Sequence, residues 1–508
     1  MSKLYNKRIL IFQQRAWGRR IGRFLAKKFY DEGCSLAAVT STKKTHDCIV
    51  GQEDIKYEMI ICHDEVIGQP EKFLAGDDYS LEEICKDLGI DSIWPLVSGV
   101  RMMVRSYKDK YYYGFKQCVS DEEIVKYVKA TYKCVKLIFD KFNPDIIVAT
   151  NFVGFYHIMF CLYGRKVGTK MIGVTDSKIK GVNFFSHNYN TNRGSFIERV
   201  DELNSGENTK NREKAKQYIT EFRKTFKKPS YSESEEQNKK SFIKIIKGEL
   251  SPYAHIVRWY RDKYVRKVKN ELPNVEFWTG YRSPRIILRD HYCQKKYLKF
   301  ANNYKYYNLK NIKKYVYFPL QVQPEETIDV FSPYFSNQIE TARLIAMSLP
   351  DDYTLVVKNH PVMADYTPPS YLEKVARTIN IKLIDYRIPS EEVLKGADLI
   401  ISPGGTSLAE AAFYNKPAIQ LGNLGTNLKL PNVVKHTDMT TLSARIKERL
   451  KENLRTEDYE RKLENFVAAA YDVGFDLDYL GAYYGGRSDL LDSVWEVYKK
   501  EVEKNIRK

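Results

Sequence analysis

The chain has 508 residues, with 82 Lys and Arg against 64 Asp and Glu and a formal net charge of +18. Its 43% hydrophobic and 29% charged residues are those of a globular protein with roughly two to four domains, which argues against global disorder. Eight cysteines stand singly, with no C-x-x-C pair, and the eight histidines form no H-x-x-x-H or H-E-x-x-H. A disulfide scaffold, a zinc ribbon and a sequence-local metal site are therefore disfavoured, and a reducing compartment is expected.

The opening MSKLYNKRILIFQQRAW holds too short an apolar run for a secretory signal, and the most apolar stretch, Asn151 to Gly164, is too short to span a bilayer. These features predict a cytosolic protein. Lys7 to Thr40 reads as strand (RILIF), a loop with Gly18, a helix to Tyr30, a Gly33 stop and a strand (SLAAVT), the opening of a Rossmann-like unit. The loop QQRAWGRRIGRF does not make G-x-G-x-x-G and no acidic residue follows at the ribose-reading position, so a nicotinamide site is disfavoured. Arg15 and Gly18 in this loop are candidates for the acceptor or a donor phosphate. PDIIVAT and KMIGVT read as buried strands ending in Asn151 and Asp176, where an open α/β sheet presents its functional loops.

The positive charge is local. Residues 201–320 contain 28 Lys and Arg against 13 Asp and Glu, nearly all of the excess. Val200 to Lys240 reads as exposed helix and loop, and Ser251-Pro252 as the N-terminus of a basic helix. There Ile256, Trp259, Tyr260, Tyr264 and Val268 recur at helical steps, interleaved with Arg258, Arg261, Lys263 and Arg266. Such a helix suits an anionic membrane or polyanionic substrate, and equally a solvated face packed on the protein. No nucleic-acid-binding motif accompanies it, so nucleic acid is not expected as a partner.

From residue 315 strand and helix patterns alternate: YVYFPL, YTLVVK, IKLID, DLIIS and KPAIQL, separated by helix-like segments, with Ser390 as a helix cap. Alternation without hairpin signals predicts a parallel sheet covered on both faces. In DLIISPGGTSLAEAAFY a buried strand ends at Ser402, Gly404 and Gly405 permit close backbone approach, and Thr406 and Ser407 open a helix whose free N–H groups suit phosphate. Glu410 lies one turn inside, within reach of ribose hydroxyls. In LVVKNHPVM, Lys358 and His360 follow a buried strand, where cation and imidazole can neutralise a leaving phosphate.

The order FPLQVQPEE, then TLVVKNHP, then DLIISPGGTSLAEAAFYNKPAI resembles capsule and surface polysaccharide biosynthesis proteins, glycosyltransferases of the GT-B fold related to capsule Kdo transferases. The His-Pro pair is also similar to that of bacterial sialyltransferases and teichoic-acid glycerophosphotransferases. The likeness covers about residues 315–425. It implies that Lys358 and His360 meet the donor phosphate, that Ser402, Gly404, Gly405, Thr406 and Ser407 cradle it, that Glu410 holds the ribose, and that Gln323 and Glu325 face the cleft. Gln321 stands where the commoner family form has histidine, and Asn359 where it has an acidic or small residue. SPGGTS replaces the aspartate-tyrosine-serine run of the teichoic-acid type.

The expected fold is α/β of GT-B type, two Rossmann-like parallel-sheet lobes with a basic helical region between them. Its parts are an acceptor-side lobe (1–199), the basic region (200–314), a nucleotide-sugar lobe (315–450) and terminal helices (451–508) crossing back. The expected activity is metal-independent transfer of a sugar from a nucleotide donor to a surface polysaccharide or lipid-linked glycan, at the inner face of the membrane and without a cofactor. Alternatives are a polyol-phosphate transferase, a sugar-nucleotide epimerase, and a membrane-tethered scaffold. Helix dipoles and basic side chains can stabilise a leaving group without metal. Asp77-Asp78 and the DLD at 476–478, which imitate metal-binding acids, are read as surface residues. His360 is one catalytic candidate; for the general base Asp176 ranks first, ahead of His187 and the His63-Asp64 pair.

Overall fold

The computed structural model describes residues 3–100, 120–226, 242–265, 284–484 and 487–507. The first lobe is built on β1 (Arg8–Gln13), β2 (Ser35–Thr40), β3 (Tyr57–Cys62), β4 (Ile146–Val148), β5 (Lys170–Asp176) and β6 (Val182–Ser186). The second uses β7 (Tyr315–Pro319), β8 (Thr354–Lys358), β9 (Ile381–Ile384), β10 (Leu399–Ser402), β11 (Ala418–Gln420) and β12 (Val433–Lys435), and the chain then returns to add β13 (Phe475–Asp476) to the first.

In the second lobe the sheet order is β12-β11-β10-β7-β8-β9, parallel throughout. Continuous apolar runs such as YVYFP are buried at every position because helices cover both faces of the sheet. This is the doubly wound order, with the crevice between the carboxyl ends of β7 and β10 as its switch point. The first lobe runs β13-β6-β5-β4-β1-β2-β3, parallel from β3 to β5 and antiparallel at β6 and β13. Its switch point lies between the ends of β1 and β4. The alternation read from the sequence therefore holds for the parallel strands, whereas β3, β6, β12 and β13 were not foreseen. The β5–β6 turn, Ser177–Gly181, carries none of the usual two-residue hairpin signals; it bends through the positive φ of Lys178 (69°) and Gly181 (82°).

The lobes touch where Thr426 donates through its backbone N–H to the Thr191 hydroxyl (3.1 Å) and Gly425 N–H meets the Asn190 carbonyl (2.7 Å). The helix Glu457–Val473 packs on Ser195–Asn204 and Arg212–Lys224. After β13 the helices Tyr479–Tyr484 and Leu491–Asn505 lie on the first lobe. Trp17 Nε1–H donates to Tyr479 Oη at 2.7 Å, and Trp495 packs edge-on against Phe29 with ring centroids 4.9 Å apart. Large apolar area leaves water at this seam, which fixes the chain end to the lobe where it began. Two parallel-sheet lobes joined in this way form the GT-B arrangement.

The middle of the chain contributes the helices Phe242–Tyr260 and Pro284–Asn303, packed on each other. The first does not start at Ser251-Pro252 as expected; Pro252 lies inside it. The helix already begins at Phe242, so Pro252 stands in its interior, where it removes one backbone donor. No described helix is long and apolar enough to cross a membrane.

Candidate functional site

A cavity of about 450 Å³ opens between the lobes. Its first-lobe wall is the carboxyl edge of the sheet: Thr150 and Asn151 after β4, Asp176 closing β5, and Lys178 and Lys180 in the following turn. Facing them is one side of the helix Thr406–Phe413, which presents Thr406, Ala409, Glu410 and Phe413. The spacing is that of one helical face, so a strand–turn–helix unit aims a hydroxyl and a carboxylate at the opposite lobe. Tyr218 and Phe222 complete one side, with Phe222 stacked on Phe413 at 4.1 Å between centroids.

The charges across this gap act on a common group. Burial pushes the Tyr218 phenol above its ordinary range, and Asp176 from one lobe and Glu410 from the other act in the same direction. Its oxygen accepts from Lys180 N–H at 3.1 Å. The Asp176 carboxylate receives Lys178 N–H (3.3 Å) on one oxygen and Lys178 Nζ (3.2 Å) on the other. Arg15 is exposed on the first-lobe side, close enough to Tyr483, another lining residue, to oppose the rise that burial causes in that phenol. Gly18 is needed by the packing itself: a Cβ there would lie 2.6 Å from the Gln13 carbonyl carbon.

The remaining donor-side candidates lie along the carboxyl edge of the second lobe's sheet but outside the cavity lining. Ser402 is buried; its hydroxyl donates to Gly404 O at 2.5 Å and accepts from Gln321 Nε2 at 3.3 Å. Gly405, at φ 97°, caps the helix without a side chain, and an added Cβ would strike Gln321 Oε1 at 2.5 Å. At Gly404 it would lie 2.9 Å from Thr327 Cγ2. The glycine turn thus admits the chain's own Gln321 and Thr327, leaving Thr406 and Ser407 as its partly exposed members.

Lys358 is buried and its ammonium donates to Ile388 O (2.8 Å) and Ser390 Oγ (3.0 Å). Ser390 consequently does not cap: the helix Ser390–Gly396 has Pro389 at its cap position. His360 stands two strands from Ser402, about 10 Å by strand spacing. Burial and the Lys358 charge push its imidazole down to about 4, and Nδ1 accepts from Val362 N–H at 3.3 Å, which leaves the proton on Nε2. Gln323 is buried, bonded to Ser336 O and Gln338, and Glu325 accepts from Thr327 N–H at 2.8 Å. Both orient the turn leaving β7; neither lines the cavity.

Other base candidates are engaged elsewhere. His187 Nε2 meets Glu501 Oε1 at 2.7 Å, His63 is buried against the Tyr156 ring, and Asp64 accepts from Lys43 N–H at 2.8 Å. Asp77 and Asp78 pair with Lys133 and Lys129 on the surface. Asp476 and Asp478 of the DLD segment are exposed, as the sequence reading has them, and they also line the cavity. Pairing of β13 with β6 brings them there, and nothing local in the sequence signals that pairing. Tyr218 and Phe222 were likewise missed, because their helix reads as exposed by composition. Among the described residues no group of three or more His, Cys, Asp or Glu side chains is spaced to hold a metal ion.

No family model matches the chain, and no curated protein matches it. Among solved structures, the glycotransferase of kitacinnamycin is 10% identical, with 96% of this chain and 99% of that one covered and a TM-score of 0.24. The beta Kdo 2,7 transferase KpsC of Thermosulfurimonas dismutans is 12% identical over 69% of this chain and 80% of that one, with a TM-score of 0.29. The UDP-GlcNAc 2-epimerase of Methanocaldococcus jannaschii, in complex with UDP-GlcNAc and UDP, is 11% identical over 91% and 98%, with a TM-score of 0.25. These likenesses assign no activity to this chain.

Proposed function

We propose that the protein is a glycosyltransferase that uses a nucleotide-sugar donor and delivers the sugar to a surface polysaccharide or lipid-linked glycan. The observation that carries this reading is the convergence of Glu410 and Thr406, at the start of the helix after β10, with the polar strand ends of the other lobe around one cavity. Glu410 holds the ribose and the start of the helix receives the phosphates, where free N–H groups and the helix dipole favour an anion. His360, with its proton on Nε2, is a neutral donor toward the departing phosphate. Gln321, Ser402, Gly404 and Gly405 hold the turn, with Lys358, Gln323 and Glu325 behind it. Arg15 serves the acceptor side. The reaction draws on these groups and needs no cofactor.

The test is a thermal-shift screen of CMP-, UDP-, GDP- and CDP-linked sugars followed by product analysis. A ligand at 100 times its Kd stabilises the native state by about 2.7 kcal/mol. Stabilisation by one class and transfer to an added glycan are expected. Isomerised sugar without an acceptor would make it an epimerase, and no binding of any nucleotide would end the enzymatic reading.

The basic helices support a place of action at a membrane surface. Leu250, Tyr253, Val257, Tyr260 and Tyr264 are 49–68% exposed and recur at steps of three and four, so they form one apolar stripe. Arg258 and Lys263 stand exposed, and Arg261 continues the same face, while the neighbouring helix exposes Leu288 and Tyr292 beside Lys295 and Lys299. Trp259 is half-buried with Lys263 Nζ 4.7 Å from its ring centroid, so the stripe runs beside it; Arg266 lies outside the described residues. An apolar stripe between cations fits the cytoplasmic face of an anionic bilayer, at about 1 kcal/mol per cation near the surface. The chain is expected to float with phosphatidylserine-containing vesicles and not with phosphatidylcholine alone. Val257→Glu with Tyr260→Glu should abolish flotation; unchanged flotation would refute the membrane reading.

A further inference from the structure

Carboxylates from three segments meet in the cavity, and their engagements differ. Asp176 is held by Lys178 through both oxygens. Asp478 accepts from Gly481 N–H at 2.9 Å and lies 3.8 Å from Arg487. Glu410 belongs to the opposite lobe. Asp476 is exposed on the edge strand β13, and its side chain forms no hydrogen bond or ion pair among the described residues. Its Oδ1 stands where a Cβ on Gly181 would come within 3.2 Å, so the bare turn leaves room for the carboxylate. Both oxygens of Asp176 are already occupied by Lys178, whereas the Asp476 carboxylate is open to receive a hydroxyl, which favours Asp476 over Asp176.

A second observation points to a ligand in the same cavity, on the wall after β4. Thr150 is only 5% exposed, lines the same cavity, and its hydroxyl has no partner among the described residues; the Asn151 side-chain oxygen next to it has none either. Buried polar groups are nearly always bonded, so two adjacent unsatisfied oxygens in a cavity wall mark a place where hydroxyl donors dock. A polyhydroxylated molecule supplies such donors.

We propose that Asp476 is the general base of transfer and that Thr150 and Asn151 bind hydroxyls of the acceptor. This rests on the glycosyltransferase reading and assigns its acceptor side. Asp476 takes the proton of the acceptor hydroxyl as that oxygen bonds to the anomeric carbon. The bond from this carbon to the phosphate oxygen breaks, and its electron pair leaves with the nucleotide. One displacement inverts the anomeric centre. The base thus comes from the returning chain end, which ties completion of the site to docking of β13 on β6.

The test uses the full chain with the nucleotide sugar found in the screen and octyl glycosides as acceptors. Asp476→Asn should leave nucleotide affinity within about 2-fold, since its side chain has no donor contact in this assignment. Transfer should fall by roughly 10²–10⁴-fold, the usual worth of a general base. Asp476→Glu should keep measurable transfer and the acid limb of the kcat/KM profile, which the asparagine variant loses. Thr150→Val should raise the acceptor KM without changing nucleotide affinity. Full transfer by Asp476→Asn, equal loss of nucleotide binding and transfer, or a product that retains its configuration would each overturn the assignment and leave the transferase reading standing. A parent chain that binds no nucleotide sugar would overturn both.

Discussion

Glu410→Gln should weaken nucleotide binding by roughly 10–100-fold while leaving the melting temperature of the free protein nearly unchanged. A hydrogen bond to a charged group contributes about 1.5–3 kcal/mol, and each 1.4 kcal/mol is tenfold in affinity. Glutamine keeps the shape on the helix Thr406–Phe413 and removes the charge. That charge is felt across the site, since it helps to raise the phenols of Tyr218, Tyr317 and Tyr414, each of which burial raises first. Isothermal titration of the parent and the variant against the same nucleotide checks it. Equal affinities would remove Glu410 from the donor site and with it the main support for reading the second lobe as the donor lobe.

A second large effect is expected from acid. His63 is enclosed in the first lobe, with the Tyr156 ring 4.0 Å away, and burial pushes its imidazole down to about 3. The His157 ring is likewise 4.0 Å from that of Tyr156 and 5.0 Å from that of Phe12, and burial takes it well below 6.5, with His63 acting in the same direction. Both are neutral in the fold and take up protons near pH 6.5 when unfolded. Their contribution is therefore complete above pH 6.5 and is lost as pH falls below it. Each group costs about 1.4 kcal/mol per pH unit once its unfolded form is protonated, so the two together remove about 4 kcal/mol by pH 5. That is a large part of the roughly 5–15 kcal/mol available to a folded domain.

The window separates this effect from that of carboxylates. Asp472 and Asp385, lowered by their hydrogen-bonding partners against the opposing effect of burial, have ordinary values of 3.8 and release their stability only at lower pH. Urea unfolding at pH 7, 6 and 5 should show the slope, and His63→Phe should about halve it. Stability that stays flat from pH 7 to 5 would mean that these imidazoles are protonated within the fold.

How much of this could be read from the chain depends on the range of the interactions. YVYFP, LVVK and LIIS are buried on both sides, so their apolar runs declare central parallel strands without reference to neighbours. The short edge strands β12 and β13 carry no such run; they exist because a neighbouring strand offers hydrogen bonds. Lys358 shows the same limit at a functional position. Its place at a strand end was legible, but the direction of its ammonium, toward Ile388 and Ser390, depends on a loop that follows another strand.

The sequence by itself determined the alternating α/β plan, the confinement of the positive charge to one region, the strand ends that carry Asn151 and Asp176, and the helix that carries Glu410. Those are consequences of local pattern, because burial on both faces and helix initiation act over a few residues. The tertiary structure alone decided which strand ends share a cavity, that Asp476 joins them, and that the Gly404-Gly405 turn accommodates Gln321 and Thr327. Those outcomes follow from packing two lobes and a returning chain end together, and packing relates residues that no local pattern connects.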